Sequence, residues 1–534
     1  MPLISSSIPN LINGVSQQPA ALRLASQCEQ MVNCMPSPVE GLKKRPPAQH
    51  LAKLFAGSAG AGRPFTTIVD RDGTIQYLVL ILDNDIKVFG LDGSVKTVAK
   101  PDGTSYLNIT GEPSAVFRVA SVADYTFIVN REKTAAMAAT TSPTWGTKSM
   151  VFIKSAEYAT TYSITVDATT VTYETLPPGG RRLSASYSRA TNTVTVTATA
   201  HGLFTGDQVD MSFSSGAGTA GTYTITVTGA DTFIYTDTVG GTTSGNCTVV
   251  YQPSYSPSTV EIAGALRDSL ATALGAGFTI VASDYVVRIT KVDGTDYALG
   301  SADTKTGTAT VPIKGTIDTI SDLPIKAEHG FIVKITGSAA SGADDYYVKF
   351  VANAGSGFAH GVWQEAVGPG IQYLFDAATM PHVLVRENDG TFTFKKFTWS
   401  GRVAGDAITA KEPSFIGSKI QNVNLFRNRL VLLADENVIT SAADSYDRFW
   451  PESVQTVVDS DPIDLSAGTQ RINLLTSSLA FADVLLLFSR FGQFRLSGGS
   501  SVAAALTPRT ATVTQLTAFE MSDTVDPVIV GRTM

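Results

Sequence analysis

Alternating apolar and polar residues dominate this chain and predict β-strands. The alternation is clearest in TNTVTVTAT (191–199), TYTITV (222–227) and TFTFKKFT (391–398). Five Asp-Gly pairs separate such runs, and their glycines suit tight hairpin turns; they begin at Asp72, Asp92, Asp102, Asp293 and Asp389. The pattern therefore predicts a mainly β protein with antiparallel sheets, arranged as a sandwich, barrel or propeller.

Two segments predict helices. Ser258 and Glu261 have the spacing of a capping box at the start of residues 258–274. Apolar residues follow at helical spacing, namely Ile262, Leu266, Leu270 and Leu274. This stripe must pack on a sheet. A second helix is predicted over residues 19–31, because Pro19 suits a first helical position.

The order of these patterns divides the chain into regions. We expect an N-terminal assembly arm over residues 1–60 and a β-rich, propeller-like body formed by residues 61–150 and 321–534. Residues 151–320 are predicted to form an inserted α+β domain. Nested within it, residues 184–251 are rich in Thr, Ser and Gly and nearly free of Lys and Glu, which predicts a small β module.

Composition and charge restrict the classes of function. The chain is 43% apolar and 16% charged, so it can bury several cores. Its 40 Lys and Arg against 47 Asp and Glu give a net charge of −7, which argues against a basic surface for tight DNA binding. We expect no secretory signal, no membrane-spanning segment, and reduced thiols at Cys28, Cys34 and Cys247, since no CxxC pair is present.

Few residues suggest catalysis. Asp459, Asp461 and Asp464 could hold calcium or act as a glycosidase pair, but a turn opened at Asp461-Pro462 is the favoured interpretation. His382 is expected to be a packed or surface imidazole and not a metal ligand. The arginines of residues 427–429 (RNR) could contact phosphate, or they could be satisfied by carboxylates or carbonyls, and we favour the structural role. Since the common hydrolase, zinc-protease and nucleotide-binding motifs are missing, the sequence predicts no enzyme, no cofactor and no metal.

Several co-linear blocks carry a family resemblance. They are NGVSQQP (13–19), EGLKKRPP (40–47), ADYTFIVNR (123–131), TMPHVL (379–384), PSFIG (413–417), FRNRLVLLADEN (426–437), DSDPID (459–464), LLLFSRFGQF (485–494) and LTP (506–508). In this order they resemble the tail tubular protein B family, the nozzle proteins of short-tailed bacteriophages. The resemblance covers nearly the whole chain apart from residues 184–251, and it implies that family members continue beyond residue 534.

The resemblance implies a structural protein of the virion tail. It implies a hexameric ring below the tail adaptor (tail tubular protein A) and the portal ring, with tail fibres around it. The central channel would conduct and gate DNA without binding it tightly. Candidates for assembly contacts come from the first two blocks: Gln17, Gln18, Pro19, Lys44, Arg45 and Pro46.

The arm is not expected to fold on its own, and two other classes of protein remain as alternatives. Six prolines between Ile8 and Pro47 leave the arm too little apolar pattern for its own core, so its order must come from partners. A tail fibre or receptor-binding protein would also be β-rich, but it should show repeats or coiled-coil heptads. A polysaccharide depolymerase would need an acidic pair, for which residues 459–464 are the candidate.

Overall fold

The computed structural model describes residues 10–54, 62–144, 147–252, 254–337, 345–499, 505–522 and 525–529. Parts of the predicted arm, residues 1–9 and 55–60, lie outside this range. The described residues contain 38 strands and one helix of more than a single turn. The expectation of a mainly β protein is therefore confirmed.

The N-terminal strands form a hairpin, one meander and part of a second sheet. They are β1 (Cys34–Ser37), β2 (Gly41–Lys44), β3 (Phe65–Asp70), β4 (Gln76–Leu82), β5 (Asp85–Gly90), β6 (Val95–Lys96), β7 (Val98–Ala99), β8 (Phe117–Val122) and β9 (Tyr125–Asn130), with the one-turn helix α1 (Pro113–Val116) before β8. Strands β3 to β6 pair in sequence order. Gly73 closes the turn after β3 with a φ of +75°, and its N–H donates to Asp70 (2.7 Å).

The middle of the chain contains three sheets and the long helix. Its elements are β10 (Lys148–Ile153), β11 (Thr161–Val166), β12 (Thr169–Glu174), β13 (Arg181–Ala190), β14 (Thr193–Thr197), β15 (Gln208–Phe213), β16 (Gly221–Thr224), β17 (Thr226–Gly229), β18 (Thr232–Thr236), β19 (Thr243–Tyr251), α2 (Thr259–Leu274), β20 (Phe278–Ser283), β21 (Val286–Lys291), β22 (Leu299–Asp303), β23 (Thr310–Ile313) and β24 (Thr316–Ile317). The sheet orders are β20-β21-β10-β23, β12-β11-β22 and β16-β15-β19-β13-β14-β18-β17.

The remaining strands complete four more sheets. They are β25 (Lys326–Glu328), β26 (Ile332–Ile335), β27 (Tyr346–Ala352), β28 (Phe358–Ala366), β29 (His382–Arg386), β30 (Phe392–Lys396), β31 (Ile420–Phe426), β32 (Arg429–Ala434), β33 (Asn437–Thr440), β34 (Ile463–Ser466), β35 (Leu475–Phe481), β36 (Val484–Ser489), β37 (Gly492–Ser497) and β38 (Thr512–Thr517). The orders are β24-β26-β27-β28-β25, β7-β30-β29-β9-β8, β31 to β34 and β35 to β38.

Four of these sheets pack face to face in series. The β3–β6 sheet shares a core with the sheet containing β9 and β29, which packs through its other face on β31–β33. The β31–β34 sheet then packs on β35–β37. Strand β32 is buried on both faces, which explains its unbroken apolar run LVLLA. An edge strand from each of the four sheets, namely β3, β8, β31 and β35, lines one groove of about 330 Å³. Stacked meanders are the unit of a propeller, but closure into one stays a prediction.

The helix predicted over residues 258–274 is confirmed. Its apolar stripe packs on β11 and β21 through the buried residues Ile262, Ala263, Leu266 and Leu270. Ser258 caps the helix by accepting a hydrogen bond from the Val260 N–H (3.2 Å). Glu261 does not complete a capping box. Its carboxylate instead accepts hydrogen bonds from the hydroxyls of Tyr173 and Tyr255.

The helix predicted over residues 19–31 is wrong. This segment forms turns, and its one ladder contact is the parallel bridge between Val15 and Cys28. Leu22 and Leu24 are 69% and 59% exposed. Without a sheet to cover these side chains, helix propensity alone does not order the segment.

The seven-stranded sheet of β13 to β19 encloses a core of its own. Every residue of this core lies between Leu183 and Tyr251. Within it, Arg189 and Asp237 form a buried ion pair of 2.6 Å. Strands β13 and β19, the first and last of this sheet in the sequence, pair along their length, so that Arg181 lies opposite Tyr251. Both ends of this sheet therefore meet at one place, although the domain boundaries as such stay predictions.

Replacing residues 182–250 with a short Gly-Ser linker should leave the rest of the chain folded. The paired ends of β13 and β19 lie about 5 Å apart, so a short linker can join them without moving α2. Hydrogen exchange at α2 and β21 measures the result. As a control, replacing only residues 193–236 should disrupt the seven-stranded sheet. Loss of protection at α2 in the full replacement would contradict an independently folding module.

Candidate functional site

Three sequence blocks meet around the guanidinium of Arg429. This side chain is 1% exposed at the start of β32. Its Nη1 donates to the carbonyl oxygens of Ser441 (2.8 Å) and Asp461 (2.7 Å), and its Nη2 donates to that of Asp459 (2.8 Å). Weaker contacts of 3.4 Å reach the carbonyls of Ser460 and Leu506. The structural interpretation of Arg429 is confirmed, because its acceptors are backbone carbonyls.

The acids of the DSDPID block stabilise a turn. Asp461 is 3% exposed, and its Oδ2 accepts a hydrogen bond from the Val458 N–H (2.9 Å). Asp464 Oδ2 accepts one from the Ser414 N–H (2.8 Å). A turn is present in this block, but Asp461 closes it and does not open it as predicted: the Asp461 N–H donates to the Val458 carbonyl (3.1 Å), and Pro462 leads directly into β34. No group of three His, Cys, Asp or Glu side chains within the described ranges is arranged to hold a metal ion.

Arg427 and Asn428 form the turn between β31 and β32. Both have positive φ angles, of 48° and 58°, as a two-residue type I′ hairpin requires. Arg427 Nη2 donates to the Asp483 carbonyl (3.1 Å). The RNR sequence thus joins two strands and directs its second arginine into the protein.

His382 is a packed imidazole, the first of the two positions expected for it. It is 3% exposed, and its ring stacks on Tyr106 with the centroids 4.0 Å apart. Nδ1 lies 2.9 Å from the Met380 carbonyl, to which it donates. Burial lowers the pKa of His382 to about 4, so the ring is neutral near pH 7.

The three cysteines are unbonded to one another. Cys247 lies in the core of the seven-stranded sheet, where burial raises the pKa of its thiol to about 11. A thiol with such a pKa stays protonated and unreactive. Cys28 and Cys34 are half-buried within the arm.

The assembly candidates are exposed and fall into two groups. Residues 17–19 lie in a loop, and residues 44–46 lie at and beyond the end of β2. Within the described ranges, no hydrogen bond or ion pair links the two groups. None of residues 10–54 is buried. Their exposed apolar side chains are Ile12, Val15, Leu22, Leu24, Val32, Met35, Val39, Leu42 and Leu51. An assembly role for the six candidates stays a prediction.

Sequence analysis missed three buried arginines; Arg118 is 7% exposed and pairs with Asp526 (3.2 Å), and the other two are Arg189 and Arg402. Arg189 pairs with Asp237 across the seven-stranded sheet, and Arg402 lies 2% exposed beside Trp450. None of the three belongs to a recognisable motif, and none of these pairings is local. The alternation around Arg189 could indicate only that it faces inward from a strand.

Comparisons with known proteins identify the family. A family model described as bacteriophage nozzle protein matches residues 1–251 and 190–534. The chain is 30% identical over 545 residues to tail tubular protein gp12 of Escherichia phage T7; the match covers all of this chain and 57% of that protein. Among solved structures, the endosialidase of phage phi92 aligns with 85% of this chain and 56% of its own, at 12% identity and a TM-score of 0.16. That score is too low to indicate a shared fold.

The described helices include none long and apolar enough to cross a membrane. The co-linear blocks from residue 13 to residue 508 and the family match over both halves of the chain agree with each other. The chain therefore belongs to the bacteriophage nozzle protein family and is a structural virion protein of a phage tail.

Proposed function

We propose that this chain forms the wall of a hexameric tail nozzle that conducts and gates DNA during ejection. The observation that carries the proposal is the match of the nozzle family model to both halves of the chain. The chain spans 57% of the length of its T7 relative. The partners proposed for the nozzle subunit as a whole are the tail adaptor, the portal ring and the tail fibres.

The proposed role is structural and not enzymatic. A depolymerase would rely on the acids of residues 459–464, but Asp461 and Asp464 accept hydrogen bonds from backbone N–H groups that hold a turn. Glycosidases need two carboxyl groups that are free to face a sugar. The family match also favours a nozzle over a tail fibre or receptor-binding protein.

We further propose that DNA passes through the ring without tight binding. Duplex DNA carries one charge per roughly 1.7 Å of its axis, and a basic wall would bind it by releasing counterions. The net charge of −7 per chain permits a neutral or acidic wall. Gating would then depend on loops that move aside on ejection.

Two measurements on the purified chain test these proposals. Mass photometry should detect hexamers, and titration with duplex DNA at low salt should show weak binding with a shallow salt dependence. Tight binding with a steep salt slope would contradict a neutral or acidic channel wall. If the chain and the adaptor together form no ring, the nozzle proposal itself is wrong.

A further inference from the structure

A cavity of about 720 Å³ lies between the seven-stranded sheet and the first turn of α2. Its volume falls within the range of about 300–1,000 Å³ that is usual for ligand sites. Strands β15, β16 and β19 form one part of the wall, and the segment leading into α2 forms another. Three carboxylates and two tyrosines line it, namely Asp207, Asp210, Glu261, Tyr251 and Tyr255. Hydroxyl and amide side chains make up most of the remaining wall.

Two of the carboxylates are held by one oxygen and leave the other oxygen accessible. Asp210 Oδ1 accepts a hydrogen bond from the hydroxyl of Thr222. Glu261 Oε1 accepts hydrogen bonds from the hydroxyls of Tyr173 and Tyr255. The second oxygens, Asp210 Oδ2 and Glu261 Oε2, have no partner among the described residues, and neither is sequestered from solvent. Each carboxylate is therefore oriented and still offers one free charged acceptor.

The two tyrosines of the cavity are also held at their polar ends. Tyr255 donates to Glu261 (3.3 Å), and its ring packs edge-on against Tyr158 with the centroids 6.3 Å apart. The hydroxyl of Tyr251 accepts a hydrogen bond from Gln252 Nε2 (3.2 Å). Tyrosine combines a large apolar ring with a polar tip, so both residues add apolar surface to an otherwise polar wall.

The charge and the donors of the wall restrict the class of ligand. The described lining residues include no Lys, Arg or His, so the cavity is unsuited to an anion. Within the described ranges, no group of three His, Cys, Asp or Glu side chains is arranged to hold a metal ion. An organic cation would use only the carboxylates. The hydroxyl and amide donors of Thr222, Gln208 and Gln252 would then have no role, whereas a sugar hydroxyl both donates and accepts hydrogen bonds.

We propose that this cavity binds a neutral saccharide. Sugar hydroxyls donate to Oδ2 of Asp210 and Oε2 of Glu261, and the rings of Tyr251 and Tyr255 contact the C–H groups of the sugar. A saccharide bound in this way contacts the seven-stranded sheet and α2 at once. The proposal does not depend on ring formation, because all of these residues belong to one chain.

An array of oligosaccharides probed with the labelled full chain tests the proposal. The array carries neutral oligomers of glucose, galactose, mannose and N-acetylglucosamine, each beside a sialylated or uronate-containing counterpart. We expect binding to at least one neutral oligomer. Its acidic counterpart should bind at least tenfold more weakly, because the carboxylates of the cavity repel a negative charge. Binding to no neutral oligomer, or equal binding to the acidic counterpart, would overturn the proposal.

Calorimetric titration with the oligomer that binds locates the site. Asp210→Asn and Glu261→Gln each keep a carbonyl oxygen for the existing hydrogen bonds but lose the charged acceptor, so affinity should fall about tenfold in each. Asp268→Asn is the matched control on α2, since Asp268 is 71% exposed and lies outside the cavity lining, and it should bind like the wild type.

Asp210→Asn keeps the test decisive if Glu261→Gln does not fold. Asp210 alternates along β15 with the buried residues Val209 and Met211, so its side chain lies on the outer face of the sheet and outside the core. Unchanged affinity in Asp210→Asn would place the saccharide elsewhere and contradict the proposal. Tighter binding of spermidine than of the oligomer would also contradict it, because the site would then be one for organic cations.

Discussion

Arg429→Met is expected to lower the free energy of unfolding by about 3–5 kcal/mol, the range for breaking a buried charged network. The guanidinium links the carbonyls of Ser441, Asp459 and Asp461 at 2.7–2.8 Å. Methionine fills most of the volume but donates no hydrogen bond. The carbonyls of Asp459 and Asp461 would then lose their guanidinium donor, and residues 459–464 would lose this attachment to β32.

Denaturant unfolding and hydrogen exchange measure this effect. Exchange at the amides of residues 459–466 should accelerate more than exchange at α2, since the loss is local to one sheet. Arg427→Met is the matched control on the same turn. Arg427 is half-buried and its change should alter stability by about 1 kcal/mol or less. Equal stabilities of the two variants would show that Arg429 does not anchor the loop.

The local patterns of the sequence predict single elements well. Helix α2 is predictable because its cap and its apolar stripe lie within 17 residues. The strand at Thr193–Thr197 is predictable because its period-two alternation matches a half-buried sheet. Both patterns report which side of an element is covered, and neither depends on distant residues.

Pairing between distant segments is not predictable from such patterns. Strand β29 pairs with β9, and β10 pairs with β21, although each pair is separated by more than 100 residues. Alternation fixes the face of each strand but not its neighbour. The predicted helix over residues 19–31 failed for a related reason, since a favourable first residue cannot substitute for a surface to pack against.

The arginine sites show the same limit. The sequence favours a structural role for the RNR arginines, but the acceptors of Arg429 come from residues 441, 459–461 and 506. Only the folded chain brings them together. Arg402 gives no sequence signal at all, because its unusual property is the lack of a partner on two buried nitrogens within the described residues.

Deleting residues 2–47 is expected to abolish ring and tail assembly while leaving the subunit folded. None of the described residues in this segment belongs to the six hydrophobic cores, so their removal exposes no core surface. The segment instead presents exposed apolar side chains such as Leu22 and Val39, which is 92% exposed. Exposed apolar surface of this kind is typical of sites that bind other proteins.

Mass photometry measures ring assembly. Complementation of a phage that lacks its nozzle protein measures tail assembly. A variant with alanine at Gln17, Gln18, Lys44 and Arg45 should assemble less efficiently than the wild type. Arg182→Ala, at another exposed site, should assemble normally. Virions at wild-type yield from the deletion would refute an assembly role for the arm. Unfolding of the deleted chain would show instead that the arm stabilises its own subunit, because a segment ordered only by partners contributes nothing to the isolated fold.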